Sequence, residues 1–259
     1  MTVEADSVAF ALVDAWRQLV ASMPAGWEVA EPIGIAAVTG VALPSLNGVW
    51  VTSPDVDTSA LSSLLDRVAA TGLPYCLQAR PSAARNLAEF ATDRGMTVSE
   101  DIPLMVMEGA TGLSPEFEVA ELVIRELATS EAEVHARTAA AGFEAPPEPF
   151  LQLLTPSTLA HPGVRSYVGE VEGEQVTTGL GFTFGTCIGI FNVATLPASR
   201  RRGYGAAITA RAVADGLASG AEWAWLQASP AGYSVYEKLG FRLVEVWSCW
   251  LSDSGTHAS

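Results

Sequence analysis

Basic residues are scarce. The 259-residue chain has 14 Lys and Arg against 29 Asp and Glu, a formal net charge of −15. A nucleic-acid backbone would meet a repulsive surface, so no nucleic-acid partner is expected, whereas a cationic amine would be favoured. Cysteine is scarce too. Cys76, Cys187 and Cys249 are odd in number and lack C-x-x-C spacing, which argues against a disulfide framework and against a zinc site. His135, His161 and His257 show no ligand spacing either, so no metal is expected. No apolar run reaches the length of a membrane span, and Glu4 and Asp6 give the amino terminus the wrong charge for a signal peptide. The expectation is a cytoplasmic protein with no membrane partner. What is plentiful is apolar: 49% of residues are hydrophobic and 17% charged, enough to pack one large domain or two of ordinary size.

Against this acidity, Arg200, Arg201 and Arg202 stand together, followed by Gly203-Tyr204-Gly205. They join an apolar, strand-like run at 188–196 to a helix-like segment at 206–219. A strand, a tight glycine loop with cationic side chains and a helix amino terminus together suit a diphosphate. Unpaired backbone N–H groups and the positive end of the helix dipole converge there. The loop lacks the Gly-Lys-Ser/Thr of a Walker loop and the third glycine of a dinucleotide fingerprint.

Apolar spacing predicts a helix over 6–21, strands at 33–41 and 48–52, a helix at 58–70, a strand at 74–79, a helix at 82–94 and a strand at 103–108. Residues 111–116, rich in Gly, Ser and Pro, read as a linker between domains at 1–112 and 117–254. The second domain is expected to hold a strand at 119–126, a helix at 131–141 and a Pro-rich loop at 145–149. A hairpin of 164–172 and 175–184 follows, turned at Glu172-Gly173-Glu174. After the helix that follows Gly205 come a strand at 221–226 and a helix at 229–239, stopped by Gly240. Trp223, Trp225, Trp247 and Trp250, with Met105 and Met107, read as packing residues.

The halves share a faint repeat. Leu77-Gln78-Ala79-Arg80-Pro81 matches Leu226-Gln227-Ala228-Ser229-Pro230, and each is followed by a short helix and then Arg94-Gly95-Met96 or Leu239-Gly240-Phe241. Gly48-Val49-Trp50-Val51 likewise echoes the run from Gly189 to Val193. Two copies of one unit are implied. Where the second has its arginine-glycine loop, the first has Asp55-Val56-Asp57-Thr58-Ser59, which would repel a diphosphate and has no glycine to close around it. The first copy therefore reads as structural or as a wall of a substrate cleft.

Arg200-x-x-Gly203-x-Gly205 resembles the Arg/Gln-x-x-Gly-x-Gly/Ala loop of the GCN5-related N-acetyltransferase (GNAT) family. Tyr236-Glu237-Lys238-Leu239-Gly240-Phe241 resembles that family's Tyr-x-x-x-Gly-Phe segment. The likeness is firm over 188–250, extends back to 119 and is an echo over 1–110. It implies an α/β fold of two tandem GNAT-like domains, the first degenerate, each a mixed, mostly antiparallel sheet flanked by helices. It also implies acetyl-CoA as cosubstrate and an amine, on a small molecule, as acceptor. Val193, Ala194 and Thr195 would pair with the pantetheine arm as with an added strand. Amides of Arg201, Arg202, Gly203, Tyr204, Gly205 and Ala206 would hold the diphosphate; Arg200 belongs to the same cofactor-binding loop, though one loop cannot aim all three arginine side chains at one diphosphate. Tyr236 would protonate or hydrogen-bond the departing sulfur. A phenol of pKa ~10 facing a thiol near ~8.5 makes a hydrogen bond a fair share of that role. Where many relatives carry Asn, this chain has Ser229, which suits either a cofactor contact or a helix cap. No general base is identified: Glu170, Glu172 and Glu245 read as exposed strand residues. The alternatives are a catalytically silent acyl-CoA-binding sensor or regulatory module, and an assembly protein with no CoA affinity. Oligomeric state, a homodimer included, is left open.

Overall fold

The computed structural model describes residues 2–98, 101–109 and 117–252. In chain order its elements are α1 (Ala5–Ser22), β1 (Trp27–Glu31), β2 (Gly34–Val38), β3 (Asn47–Val51), α2 (Thr58–Ala69), β4 (Cys76–Ala79), α3 (Pro81–Asp93), β5 (Thr97–Val98) and β6 (Ile102–Glu108). There follow β7 (Val123–Glu126), α4 (Ala132–Gly142), α5 (Pro147–Leu153), α6 (Pro156–Leu159), β8 (Val164–Val171), β9 (Glu174–Phe184) and β10 (Cys187–Thr195). The last are α7 (Tyr204–Ala218), β11 (Trp223–Gln227), α8 (Pro230–Lys238) and β12 (Arg242–Leu251). The expected linker at 111–116 lies outside the described residues.

Most elements stand where apolar periodicity puts them, and the departures have local causes. Pro147 and Pro156 are the first residues of α5 and α6, where a missing N–H costs nothing, so the proline-rich stretch starts helices instead of forming a loop. The strand expected at 119–126 begins only at Val123, because Leu122 N–H closes a turn onto the Val119 carbonyl at 2.9 Å. β1 is short and largely solvent-facing, which hides its period.

The chain divides into two compact units, one of residues 1–11 and 104–244, the other of 12–103 and 245–259. The first has the strand order β6-β11-β10-β9-β8-β7. All its neighbours are antiparallel except β10 and β11. α7 covers one face: Tyr167, Ile188, Ile190, Ala224 and Leu226 join Ile208, Ala212 and Val213 in its core, with Met105 and Met107 beneath. Gly181 and Gly216 let the Ile188 side chain enter, since a Cβ at either would stand 3.0 or 2.3 Å from its Cδ1. α4 lies over Ser166, next along β8 from Tyr167 and so on the opposite face, and His135 bonds Ser166 there.

The second unit has the order β1-β2-β3-β4 with residues 245–251 of β12 beside β4, and β5 pairs with β12. Only β3 and β4 are parallel. Val49, Val51, Leu77 and Trp250 pack with Leu61, Leu65 and Leu87 of α2 and α3. On the other face Trp50 meets Trp16 of α1 at 4.2 Å between ring centroids. Each unit is thus completed by a strand from the other half of the sequence: β6 follows the first group of elements yet pairs with β11, and the end of β12 follows the second group yet pairs with β4.

Candidate active site

Parallel pairing of β10 with β11 covers Cys187↔Trp223, Ile188↔Ala224 and Gly189↔Trp225, and stops. β10 runs on to Thr195 and β11 to Gln227, so the edge of β10 that faces β11 is open beyond Gly189. On its other edge the β9 register shifts: Phe191 opposes Leu180 but Ala194 opposes Thr178, leaving Asn192 and Val193 against Gly179 alone. This is a β-bulge, and Asn192 takes φ of 51° to make it, a left-handed conformation that a non-glycine residue holds only where the surroundings fix it. Thr177 anchors the strand past the bulge, its hydroxyl donating to the Ala194 carbonyl at 2.8 Å and lying 3.0 Å from Thr195 Oγ1.

β10 leads to the arginine-glycine loop. Arg201 (φ 63°) and Gly203 (φ 84°) are both left-handed, and Gly203 is the residue from which α7 starts. Its carbonyl accepts the first intrahelical bond, from Ala207 N–H at 2.9 Å. Among the described residues, no partner meets the backbone N–H groups of Arg201, Arg202, Gly203, Tyr204, Gly205 and Ala206, and no side chain caps the helix. A Cβ at Gly205 would stand 3.4 Å from Thr195 Oγ1 and 3.9 Å from Val193 Cγ1, so the first turn of α7 lies directly on the end of β10.

The three arginines divide their work. The Arg200 guanidinium donates to the Gly142 carbonyl at 2.7 Å, the Thr195 carbonyl at 3.3 Å and Glu144 at 2.9 Å, tying the carboxy end of α4 to β10. Arg201 and Arg202 are exposed, and neither has an ion pair among the described residues. Tyr204 is buried, and its hydroxyl donates to Glu121 Oε1 at 3.1 Å, which fixes the start of α7 from beneath.

Ser229 caps α8, its Oγ accepting from Gly232 N–H at 3.2 Å. Along α8 the Tyr236 ring rests on Gly232, where a Cβ would come within 2.8 Å of Tyr236 Cε2, and meets Phe241 edge-on at 6.0 Å. Burial pushes the Tyr236 phenol up to about 12, so it keeps its proton at neutral pH. Its hydroxyl has no hydrogen-bond partner among the described residues. Of the carboxylates weighed as bases, Glu170 pairs with Arg125, and Glu245 corrects the expectation of an exposed strand residue. Only 15% exposed, Glu245 receives two nitrogens of Arg80 and the Trp247 indole N–H at 3.0 Å. No group of three or more His, Cys, Asp or Glu among the described residues is placed to hold a metal. No described helix is long and apolar enough to cross a membrane.

Residues 162–243 match the family model for the acetyltransferase (GNAT) domain. Among solved structures, a GCN5-related N-acetyltransferase from Kribbella flavida superposes with a TM-score of 0.71 at 21% identity, over 99% of both chains. A GCN5-related N-acetyltransferase from Sphaerobacter thermophilus gives 0.61 at 14% identity, over 98% of this chain and 94% of that one. A GCN5-related N-acetyltransferase-like protein from Streptococcus suis 89/1591 gives 0.59 at 14%, over 95% and 98%. A search of curated proteins finds no match. The α/β architecture of a mixed sheet with flanking helices is therefore that of these structures, and residues 162–243 are similar to the acetyltransferase (GNAT) domain.

Proposed function

We propose that the protein transfers an acetyl group from acetyl-CoA to a primary amine on a small molecule. The observation that carries this reading is the run of six unpartnered amides, 201–206, at the start of a 15-residue helix directly continuous with an open, bulged strand edge. The residues fit acetyl-CoA. The amides and the α7 dipole receive a diphosphate, and Arg201 and Arg202 stay available to its charge. The open edge of Val193, Ala194 and Thr195 offers main-chain groups to the amides of the pantetheine arm. When bound, acetyl-CoA supplies the activated acyl group.

The chain's own contribution is position and proton supply. The bulge turns backbone out of the regular β9 register at Asn192 and Val193, where an N–H would polarise a thioester carbonyl. Tyr236, protonated and without a partner, donates its hydroxyl to the departing sulfur. With a phenol near 12 and a thiol near ~8.5, it stabilises the thiolate by a hydrogen bond more than by full transfer. Ser229 holds the first turn of α8 and thereby the Tyr236 ring. The first half of the chain acts as a degenerate copy without a diphosphate loop.

Free-thiol release across an amine panel tests the reaction. Tyr236→Phe is expected to lower kcat by about 100-fold, in the range of a lost general acid, while the CoA dissociation constant shifts less than about threefold. An unchanged kcat removes Tyr236 from the mechanism. Acetyl-CoA binding without thiol release for any amine would favour the silent sensor, and no binding at all would favour the assembly protein.

A further inference from the structure

The point where β10 and β11 part has a floor. Ile188 and Ile190 face α7, so Gly189 and Phe191 face the other way. The Phe191 ring folds back over Gly189: a Cβ at 189 would stand 2.6 Å from Phe191 Cε2, 2.8 Å from Cζ and 3.0 Å from Trp225 Cζ2. The ring then meets Trp225 edge-to-face, with centroids 5.4 Å apart and planes at 88°. Gly189↔Trp225 is the last paired rung, so these two rings lie across the apex of the opening. Trp225 is fully buried and fixed, while Phe191 keeps part of its surface exposed.

A ligand held by its diphosphate at the start of α7 sits at the far end of β10, beyond Thr195. An arm laid along the open edge from there runs back toward residue 189, and whatever it carries at its tip arrives last. We infer that Phe191, seated on Gly189 and braced by Trp225, sets the length of acyl chain the site accepts, admitting a two-carbon group and refusing longer ones. This rests on the acetyl-CoA reading above. Phe191 is a specificity residue here: removing its ring leaves a hydrophobic slot above Gly189 lined by Trp225, and added methylenes would fill it at a gain of about fourfold in affinity each.

The test is calorimetry of acetyl-, butyryl- and hexanoyl-CoA against the wild type, Phe191→Leu and Phe191→Ala, with thermal unfolding recorded for each. The wild type is expected to bind acetyl-CoA tightest. In Phe191→Ala the butyryl-to-acetyl affinity ratio should rise by about tenfold or more, with Phe191→Leu between. A gain for the longer chain cannot come from misfolding, and the leucine variant keeps the test open should the alanine variant be unstable. The same ratio in all three proteins, with acetyl-CoA still bound, overturns the role of Phe191 alone. A wild type that binds none of the three overturns the acetyl-CoA reading itself.

Discussion

Among the described residues two strand pairs are parallel, and they end differently. β3 and β4 stay in register through Gly48↔Cys76, Val49↔Leu77, Trp50↔Gln78 and Val51↔Ala79, and Arg80 N–H adds one more bond to the Val51 carbonyl at 3.2 Å. β10 and β11 part after three rungs. The outer partners repeat the contrast: β2 and β3 pair over five rungs without a shift, whereas β9 and β10 carry the bulge. So do the helices that follow. Asp57 Oδ1 accepts from Ser59 N–H at 2.8 Å and Ala60 N–H at 3.2 Å, filling the start of α2, while nothing among the described residues fills the start of α7. An open strand edge and a set of empty amides occur together in one pair and are both absent from the other. A ligand-binding role for the open pair explains that coincidence, because each feature leaves polar backbone unsatisfied and is costly unless something else satisfies it.

The harshest way to break the contrast is to give α7 what α2 has. Gly203→Asp puts a carboxylate at the residue from which α7 starts, among the six free amides, and also forces a side chain onto φ of 84°. CoA affinity, read by calorimetry, is expected to fall by about 100-fold or more, through loss of the amide contacts and repulsion of the diphosphate. Wild-type affinity in this variant would end the assignment of the loop. Wild-type titrations should also saturate at one CoA per chain, since the closed pair offers no second slot.

Two buried polar side chains, one in each unit, are used differently. Asn47 is fully buried and fully used: its amide nitrogen donates to the Val41, Leu43 and Pro74 carbonyls, and its oxygen accepts from Thr39 N–H. His135, equally buried, has Nδ1 on Ser166 Oγ at 2.6 Å, but its Nε2 has no partner among the described residues. Burial lowers its pKa to about 3. Above pH ~6.5 both folded and unfolded chains hold this ring neutral. Between that value and 3 the unfolded chain takes up a proton that the folded one refuses, so stability falls as pH falls through that window. Urea unfolding at pH 7.5 and 5.0 should show the wild type losing about 2 kcal/mol more than His135→Gln. Equal losses would mean that the imidazole gains a partner, such as water, in solution.

The parts of this contrast legible in the sequence are those carried by short local patterns. The glycine loop between an apolar run and a helix, the Asp55–Ser59 acids in place of such a loop, and Ser229 before Pro230 all announce themselves within a few residues. The bulge does not. Ile190, Phe191, Asn192, Val193 and Ala194 read as uninterrupted strand, because a left-handed Asn192 depends on what β9 and α7 do to the backbone rather than on its own propensity. Arg200 is hidden for a related reason: its partners, Gly142 and Glu144, are 58 and 56 residues away. Three consecutive arginines look alike in sequence, and only the fold shows that one is spent on a carbonyl. Glu245 reads as exposed until the strand exchange brings Arg80 against it across 165 residues. The exchange of β6 and the end of β12 leaves no local trace, since either strand has the same period in either sheet.

The gentlest test reverses the first. Asp57 is the feature that occupies the α2 amides, so Asp57→Ala should empty them without opening β3 from β4. If closed strands and filled amides are one structural solution, the loss is only that of a helix cap. Unfolding free energy should drop by about 1 kcal/mol, and CoA should still bind once per chain with wild-type affinity, as Asp57 serves only the α2 cap. A second equivalent of CoA in this variant would show that a single carboxylate, rather than the strand register from Gly48 to Arg80, keeps the closed pair from binding. The register argues against that outcome, because removing a side chain from the start of α2 leaves the Arg80 to Val51 hydrogen bond and all four rungs in place.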